Sequence, residues 1–258
     1  MRTRQIHGLG LGEFLIFAPA KEMLKSAYFF SALPSIWRIL SVPVHYDFDH
    51  FHFLIQAAFD LSGIFDFQFV KGFHKPSFEC FRFSPDDDVE VMQSEGCKDA
   101  EKTALNDFFS TDDTLRYDSG ELSFEIKLMG LKGSDFPYAH LEDGEGKILC
   151  EMCGGIYGQL MVQEALAKYP NEPIAQYARK MLKKKRNAKI DFSFTYKDLN
   201  DCNRTIHKFE IASMLIPKDD WDDYDSSEMG FVSDDEYLDI INERVRKQQI
   251  GLDKDLLN

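Results

Sequence analysis

The feature that most constrains the fold is a phenylalanine-rich block over residues 47–70. Its first half has apolar residues spaced as on one face of a helix, and Asp47 stands where an N-cap belongs. The members of this stripe are Phe51, Leu54, Ile55, Ala58 and Phe59. Phe65, Phe67 and Phe69 then alternate with other residues, which is typical of a strand with one buried face. The block therefore predicts a helix that packs on a sheet.

Other segments extend this pattern into a mixed fold. Residues 27–46 are predicted to form a strand and a turn, and 78–83 and 121–131 to form further strands. Helices are expected over about 157–169 and in the segment that follows Asn171, which can cap its start. We therefore expect an α+β fold, a single compact domain whose mostly antiparallel sheet is covered by helices.

The 258-residue chain has a formal net charge of −14, and this charge is regional. Residues 84–121 carry −9 and residues 217–258 carry −8, so the remainder carries +3. We expect an N-terminal arm over 1–26, the α+β domain over 27–209 and an acidic C-terminal extension over 210–258 that ends in a helix. An acidic chain disfavours nucleic acid as a partner, because broad binding to it needs a dominant basic surface.

Cysteine usage and the N-terminus bear on the compartment. Five cysteines are too few, and odd in number, for a disulfide framework in a chain of this length. The N-terminus imitates a signal peptide, but Glu13 interrupts its apolar stretch and three glycines thin it. No apolar run reaches the ~18 residues of a membrane span. We expect a cytoplasmic chain with reduced thiols and no membrane partner, and the oligomeric state stays open.

Four short blocks, in order along the chain, carry a resemblance to a known family. They are Pro34–Arg38 with Val42-Pro43 and a helix containing Leu54–Ala58; Tyr117–Glu121; Cys150–Gly155 with Gly158; and Asp198–Asn203. In these blocks the chain resembles the plasmid-Ri open-reading-frame-three-like family, whose members are also labelled insertion-element passenger TnpR or MM-type archaeal-like domains. The resemblance covers about residues 27–207. It implies a compact α+β fold but no firmly assigned reaction.

The chain departs from the family pattern at polar positions. Both histidines of the family's HLHEF segment are missing at residues 64–67. The aromatic residue and histidine that usually follow the second block are not recognisable after Glu121, and Glu151 alone remains of an acidic pair before the double glycine. If typical members use those residues in a site, we expect that site to be remodelled in this chain.

Cys150 and Cys153 form the sharpest local chemical motif. Two thiolates at this spacing can supply half of a tetrahedral zinc site or form a redox pair. The chain has no second CxxC or HxxxH to complete a zinc site, so we favour unliganded structural thiols and expect no cofactor. Metal binding and redox chemistry stay open. The pair belongs, with Gly154 and Gly155, to a candidate binding turn.

A second metal-like pattern lies at the start of the predicted helix. It consists of Asp47, Asp49, His50 and His52. Helical residues two apart point in different directions, so the two histidines do not easily share one ion. The acids are better explained as partners of the helix dipole.

Trp37 and Arg38 are candidate binding residues. Tryptophan can stack on a ligand and arginine can pair with a carboxylate. The plainer interpretation is a core tryptophan beside an exposed arginine.

Tyr117, Asp118, Glu121 and Glu151 are candidate acid–base groups. The alternative for the first three is a structural role, because carboxylates in a turn often only cap it.

A basic helix face follows Asn171 and could bind phosphate or nucleic acid. Its members are Arg179, Lys180, Lys183, Lys184, Lys185, Arg186 and Lys189. We favour a solvated face, or one that docks the acidic extension, because that extension offers complementary charge within the chain.

Three functions are compatible with these patterns. The favoured one is a non-catalytic binding module whose Phe-rich apolar pocket or surface takes a small molecule or a protein partner. The second is a cofactor-independent enzyme of the isomerase or cyclase type that acts on an apolar small molecule. The third is a nucleic-acid-binding protein of a mobile element.

Overall fold

A computed structural model gives the fold. It describes residues 10–18, 36–63, 65–71, 78–83, 87–109, 114–133, 138–148, 151, 155–181 and 191–215. The chain divides into two compact units, residues 1–206 and 207–258. Of the second unit, the structure describes residues 207–215, the end of the last helix. The helix predicted for the acidic extension lies outside the described residues.

An eight-stranded sheet forms the centre of the first unit. Its strands are β1 Gly10–Ala18, β2 Ile36–Pro43, β3 Phe67–Lys71, β4 Phe78–Phe81, β5 Cys97–Asp99, β6 Thr114–Ser119, β7 Leu122–Gly133 and β8 His140–Glu145. They lie side by side in the order β5-β4-β3-β6-β7-β1-β2-β8. Every neighbouring pair is antiparallel except β4 with β5. The predicted α+β fold with a mostly antiparallel sheet is confirmed.

Five α-helices accompany the sheet in the described part of the chain. They are α1 Phe48–Phe59, α2 Val89–Ser94, α3 Gly155–Lys168, α4 Pro173–Met181 and α5 Tyr196–Leu215. None of these helices is long and apolar enough to cross a membrane.

Helix α1 packs its phenylalanines on the sheet as its spacing predicts. The Asp47 side chain accepts a hydrogen bond from the His50 main-chain N–H at 2.8 Å, which caps the helix. The centroid of the Phe51 ring in this helix lies 4.8 Å from the centroid of the Phe14 ring on β1. The ring of Phe59 lies 4.9 Å from that of Phe124 on β7. Burying each such ring stabilises the fold by about 2 kcal/mol.

Strand β1 lies inside the sheet, between β2 and β7. These residues belong to the predicted N-terminal arm over 1–26, in which Glu13 and the glycines interrupt the apolar stretch that imitates a signal peptide. In the fold, a Cβ on Gly12 would lie 2.7 Å from the Phe14 ring, so this glycine makes room for a core side chain. Glu13 pairs with Lys132 on the neighbouring strand at 2.8 Å. The domain limits at 26/27 and 209/210 stay predictions.

Candidate functional site

Alternation along β2 sends its two candidate binding residues to opposite faces of the sheet. Arg38 lies on the α1 side and is 1% exposed. Trp37 lies on the outer side, half-buried, and its Nε1 donates a hydrogen bond to Glu145 Oε2 at 3.0 Å. The interpretation as a core tryptophan with an exposed arginine is wrong, because the burial is reversed. The two side chains therefore do not contact one common ligand.

Arg38 is held by main-chain carbonyl groups rather than by a carboxylate. Its Nε donates to the Ala58 carbonyl at the end of α1, at 2.8 Å. Its Nη1 donates to the carbonyls of Trp37 and Glu145 at 2.8 and 2.9 Å. Its Nη2 donates to the Gly146 carbonyl at 3.0 Å. Four of its five N–H groups are thus used, and they tie β2 and β8 to α1.

Two aromatic rings complete this Arg38 cluster, which we define as Arg38, its four carbonyl partners, Phe59 and Phe194. The guanidinium carbon lies 3.7 Å from the centre of the Phe194 ring and 4.8 Å from that of Phe59. Both contacts are of the cation–π kind. Burial lowers the pKa of Arg38 to about 10, so the group stays charged at neutral pH.

A second buried polar group lies under α1 and is neutral. We define the His52 cluster as His52, Gln56, Tyr117 and Ser119, all of which are buried. Gln56 Nε2 donates to the Tyr117 hydroxyl at 2.7 Å and to Ser119 Oγ at 3.2 Å. The Tyr117 hydroxyl also lies 2.7 Å from His52 Nδ1. These four side chains form one hydrogen-bonded chain between α1 and β6.

Two pKa shifts show that the cluster is uncharged. Burial lowers the pKa of His52 to about 3, with a smaller contribution from the charge of Arg82, so the imidazole is neutral. Burial also raises the pKa of Tyr117 well above its usual range, so its hydroxyl keeps its proton. The Tyr117 hydroxyl accepts from Gln56 Nε2, and its bond with His52 Nδ1 runs in the direction that the tautomer of the neutral imidazole sets.

Aromatic rings surround the His52 cluster. The Phe67 ring stacks on the His52 ring with centroids 3.8 Å apart and an angle of 13° between the planes. The Tyr117 ring lies 4.8 Å from that of Phe69 and 5.5 Å from that of Phe124. The Phe-rich sequence thus builds an aromatic core with one polar group set inside it.

The four candidate acid–base residues do not converge on one point. Tyr117 faces α1 and is fully buried, whereas Asp118 faces the outer side. There the Asp118 carboxylate accepts from Arg116 Nε and Gln68 Nε2, both at 2.9 Å, and from Ser123 Oγ at 2.6 Å.

The other two candidates lie in connecting segments. Glu121 is exposed in the turn between β6 and β7. Glu151 accepts hydrogen bonds from the Ser62 main-chain N–H at 2.8 Å and from the Ser62 hydroxyl at 3.0 Å. Its charge is a minor contribution, after burial, to the raised pKa of Tyr117. The charge of Asp118 makes a further minor contribution to the raised pKa of Tyr117.

Comparison with known families decides the identity. Residues 30–201 match the model of the family described as plasmid pRiA4b ORF-3-like protein. The chain belongs to the plasmid pRiA4b ORF-3-like family. The family predicted from the four blocks is confirmed.

A solved structure has a similar fold. The crystal structure of a protein of unknown function from Methanosarcina mazei Go1 matches with a TM-score of 0.57 and 18% sequence identity. The match covers 75% of this chain and 98% of that one. No curated protein matches the chain.

In this pRiA4b ORF-3-like protein, the first and fourth blocks both fix strand β8. Arg38 binds the carbonyls of Glu145 and Gly146, as described above. Asn203, from the fourth block, accepts from the Leu141 main-chain N–H at 2.7 Å and donates to the Leu141 carbonyl at 2.9 Å. Both blocks therefore have a structural role. No role for Asn203 was predicted from the sequence.

The second and third blocks meet at the turn between β6 and β7. Gly155 begins α3 with a φ of +63°, and a Cβ there would overlap the Glu121 main-chain oxygen. The same turn contains Gly120, where a Cβ would lie 2.8 Å from the Phe65 ring. Glycine is required at both positions because the backbone and a ring approach so closely. Cys150, Cys153 and Gly154 lie outside the described residues.

No metal centre is apparent in the described part of the family member. It contains no group of three or more histidine, cysteine or acidic side chains arranged to hold an ion. His50 lies against Asp47, with Nδ1 3.1 Å from Oδ1, whereas His52 belongs to the buried cluster. Cys80, Cys97 and Cys202 are free and buried.

The basic helix face is described only in part. Arg179 Nη1 donates to the Pro170 carbonyl at 2.9 Å, which ties α4 to the preceding turn, and Lys180 is exposed. The remaining basic residues, from Lys183 to Lys189, lie outside the described residues.

Gln56 and Ser119, two members of the His52 cluster, are functional candidates that were not predicted from the sequence. Gln56 stands one helical turn after His52 on the buried face of α1, so a polar pair at i and i+4 on an apolar stripe is the signal that could have found it. Ser119 lies two residues after Tyr117 and so shares its face of β6.

Proposed function

We propose that this family member is a non-catalytic binding module that holds an apolar small molecule beside the His52 cluster. The observation that carries the proposal is a neutral, hydrogen-bonded polar group set among aromatic rings beneath α1. Small-molecule sites in proteins are mostly apolar and contain a few placed polar groups. The His52 cluster with Phe67 and Phe124 has this composition.

The electrostatics of the cluster favour an uncharged ligand. His52 and Tyr117 both stay neutral at physiological pH, because burial lowers the pKa of the first and raises that of the second. A charged ligand would lose its hydration without gaining an ionic partner among these side chains.

The positions of the acid–base candidates support binding over catalysis. General acid–base chemistry needs a group within hydrogen-bond reach of the reacting atom and a pKa near the working pH. Asp118 is engaged on the outer side of the sheet, and Glu151 is engaged by Ser62. Tyr117 and His52 have pKa values displaced away from neutrality.

Thermal unfolding with anisole as an apolar probe tests the proposal. A ligand that binds only the folded protein stabilises it by about 1.4 kcal/mol at ten times its Kd, so the melting temperature should rise with anisole concentration. Ser119→Val adds apolar bulk beside Gln56 and should abolish the rise. The control Ser123→Val makes the same change on the outer side of the neighbouring strand and should leave the rise intact.

The proposal would be contradicted by a melting temperature that stays constant up to the solubility limit of anisole. A rise that survives in Ser119→Val but not in Ser123→Val would also contradict it, because it would move the binding to the outer side. Native mass spectrometry of the purified chain gives an independent readout, in which a bound small molecule is expected.

A further inference from the structure

The amide of Gln56 is the most telling polar group of the His52 cluster. The residue is 5% exposed. Both N–H groups of the amide are used, one on Tyr117 and one on Ser119. Its carbonyl oxygen, Oε1, is buried and accepts no hydrogen bond from any residue in the described ranges. A buried carbonyl of this kind is costly, and most are satisfied in native proteins.

The number of satisfied donors and acceptors also determines the orientation of the Gln56 amide. Turning the group by 180° would place Oε1 against the two hydroxyls and leave two N–H donors facing the position that Oε1 now occupies. Two unsatisfied donors cost more than one unsatisfied acceptor, so the present orientation is favoured. The cluster therefore presents one acceptor and no spare amide donor.

The neighbours of Gln56 cannot easily supply the missing donor. The Tyr117 hydroxyl lies on the N–H side of the amide, at 2.7 Å from Nε2, and also bonds His52 Nδ1. The Ser119 hydroxyl lies on the N–H side of the amide, at 3.2 Å from Nε2. A hydrogen bond to Oε1 must come from a group outside the cluster.

From this geometry we infer that Gln56 selects the ligand of the proposed binding module, and that the ligand is a neutral aromatic molecule with one O–H or N–H donor. The inference rests on the proposed function. The donor bonds Gln56 Oε1, and the ring packs among the aromatic side chains around His52. Phenol and indole are the simplest members of this class, and anisole and 1-methylindole are their partners without a donor.

The experiment compares each probe with its methylated partner. Dissociation constants of phenol and anisole are measured by calorimetry on the full chain, and indole and 1-methylindole serve as a second pair. We expect phenol to bind about five- to tenfold more tightly than anisole, which is the worth of one hydrogen bond to a buried acceptor.

Two variants locate the preference. Gln56→Met keeps the length of the side chain but removes the carbonyl, and it should bring the ratio of the two constants close to one. Gln68→Met is the matched control, since Gln68 lies on the outer side of β3 and bonds Asp118. It should leave the ratio unchanged.

The outcomes separate the two proposals. If anisole binds as tightly as phenol to the wild-type protein, the role of Gln56 is overturned and the binding module stands. If no probe binds, the proposed function fails and the inference fails with it. If Gln56→Met does not fold, the side-chain amide resonances of Gln56 in the wild-type protein decide. Phenol should shift them and anisole should not, and resonances that phenol leaves unmoved overturn the inference.

Discussion

The Arg38 cluster and the His52 cluster solve the same problem in different ways. Both bury polar side chains against α1. The Arg38 guanidinium donates four hydrogen bonds to carbonyl groups and lies against two aromatic rings, and these contacts stabilise its buried charge. The amide of Gln56 leaves its oxygen unpaired among the described residues. A buried charge needs nearly all of its hydrogen bonds, whereas a neutral group tolerates one missing hydrogen bond. The first cluster therefore serves the fold, and the second is the one that we propose holds a ligand.

The largest expected effect comes from removing the charged group. Arg38→Met should lower the free energy of unfolding by about 3–5 kcal/mol, because it removes hydrogen bonds to four carbonyl groups and two cation–π contacts. Gln56→Met should change it by less than about 1 kcal/mol, because the loss of its two donated bonds is offset by removal of the unpaired oxygen. Urea unfolding of both variants measures the difference.

A control shows whether burial is the reason. Arg116 is half-exposed and bonds Asp118 on the outer side. Arg116→Met should cost less than about 1 kcal/mol, as is usual for exposed ion pairs. Equal losses for Arg38→Met and Gln56→Met would remove the contrast between the clusters.

The second prediction concerns acid. Because the folded-state pKa of His52 is about 3 and the unfolded value about 6.5, protonation favours the unfolded chain. The stability that the neutral His52 imidazole contributes is fully present above about pH 6.5. It is lost progressively as pH falls toward about 3, at roughly 1.4 kcal/mol per pH unit. His52→Asn keeps an acceptor for Tyr117 but cannot titrate. Between about pH 7 and about pH 5, the free energy of unfolding of His52→Asn should therefore fall by about 2 kcal/mol less than that of the wild-type protein.

Unfolding free energies at the two pH values supply the measurement. His140→Asn is the control, since the side chain of His140 is 40% exposed beside Glu142. It should follow the wild-type pH dependence closely. A His52→Asn protein with an unchanged pH dependence would show that the imidazole is not buried as described.

The smallest expected effect is the difference in stability between alanine substitutions at two glycines. Gly155 and Gly63 have φ values of +63° and +70°, so alanine is strained at both. At Gly63 a Cβ meets nothing within 4 Å, whereas at Gly155 it overlaps the Glu121 oxygen. Gly63→Ala should cost about 1 kcal/mol, and Gly155→Ala about 1–2 kcal/mol more. Chemical unfolding of the pair checks this, and equal costs would mean that the approach of α3 to the β6–β7 turn is looser than described.

Local, one-sided burial made part of the fold predictable. The stripe from Phe51 to Phe59 and the cap at Asp47 reappear in α1, because a helix with one buried face leaves a period of 3.6 in its sequence. Strand β1 escaped prediction because its polar and glycine breaks conceal it. It is paired on both edges inside the sheet, and the breaks are explained by the packing of the Phe14 ring at Gly12 and by the ion pair of Glu13 with Lys132, 119 positions away.

The candidate site was less predictable because its members meet across the chain. His52 and Tyr117 are 65 positions apart, and Asn203 and Leu141 are 62 apart. No local pattern reports such pairs. Alternation along β2 could have indicated that Trp37 and Arg38 face opposite sides, but assigning the arginine to the buried face requires knowledge of the carbonyl groups that surround it.

The amide of Asn203 has a consequence for assembly. It engages both main-chain groups of Leu141, an N–H and a C=O, in the pattern that one residue of an added strand would use. Among the described strands, β8 is the last on its side of the sheet, and an exposed edge of this kind can template the pairing of another chain. By occupying that position with a side chain, the protein guards its sheet against edge-to-edge aggregation at Leu141.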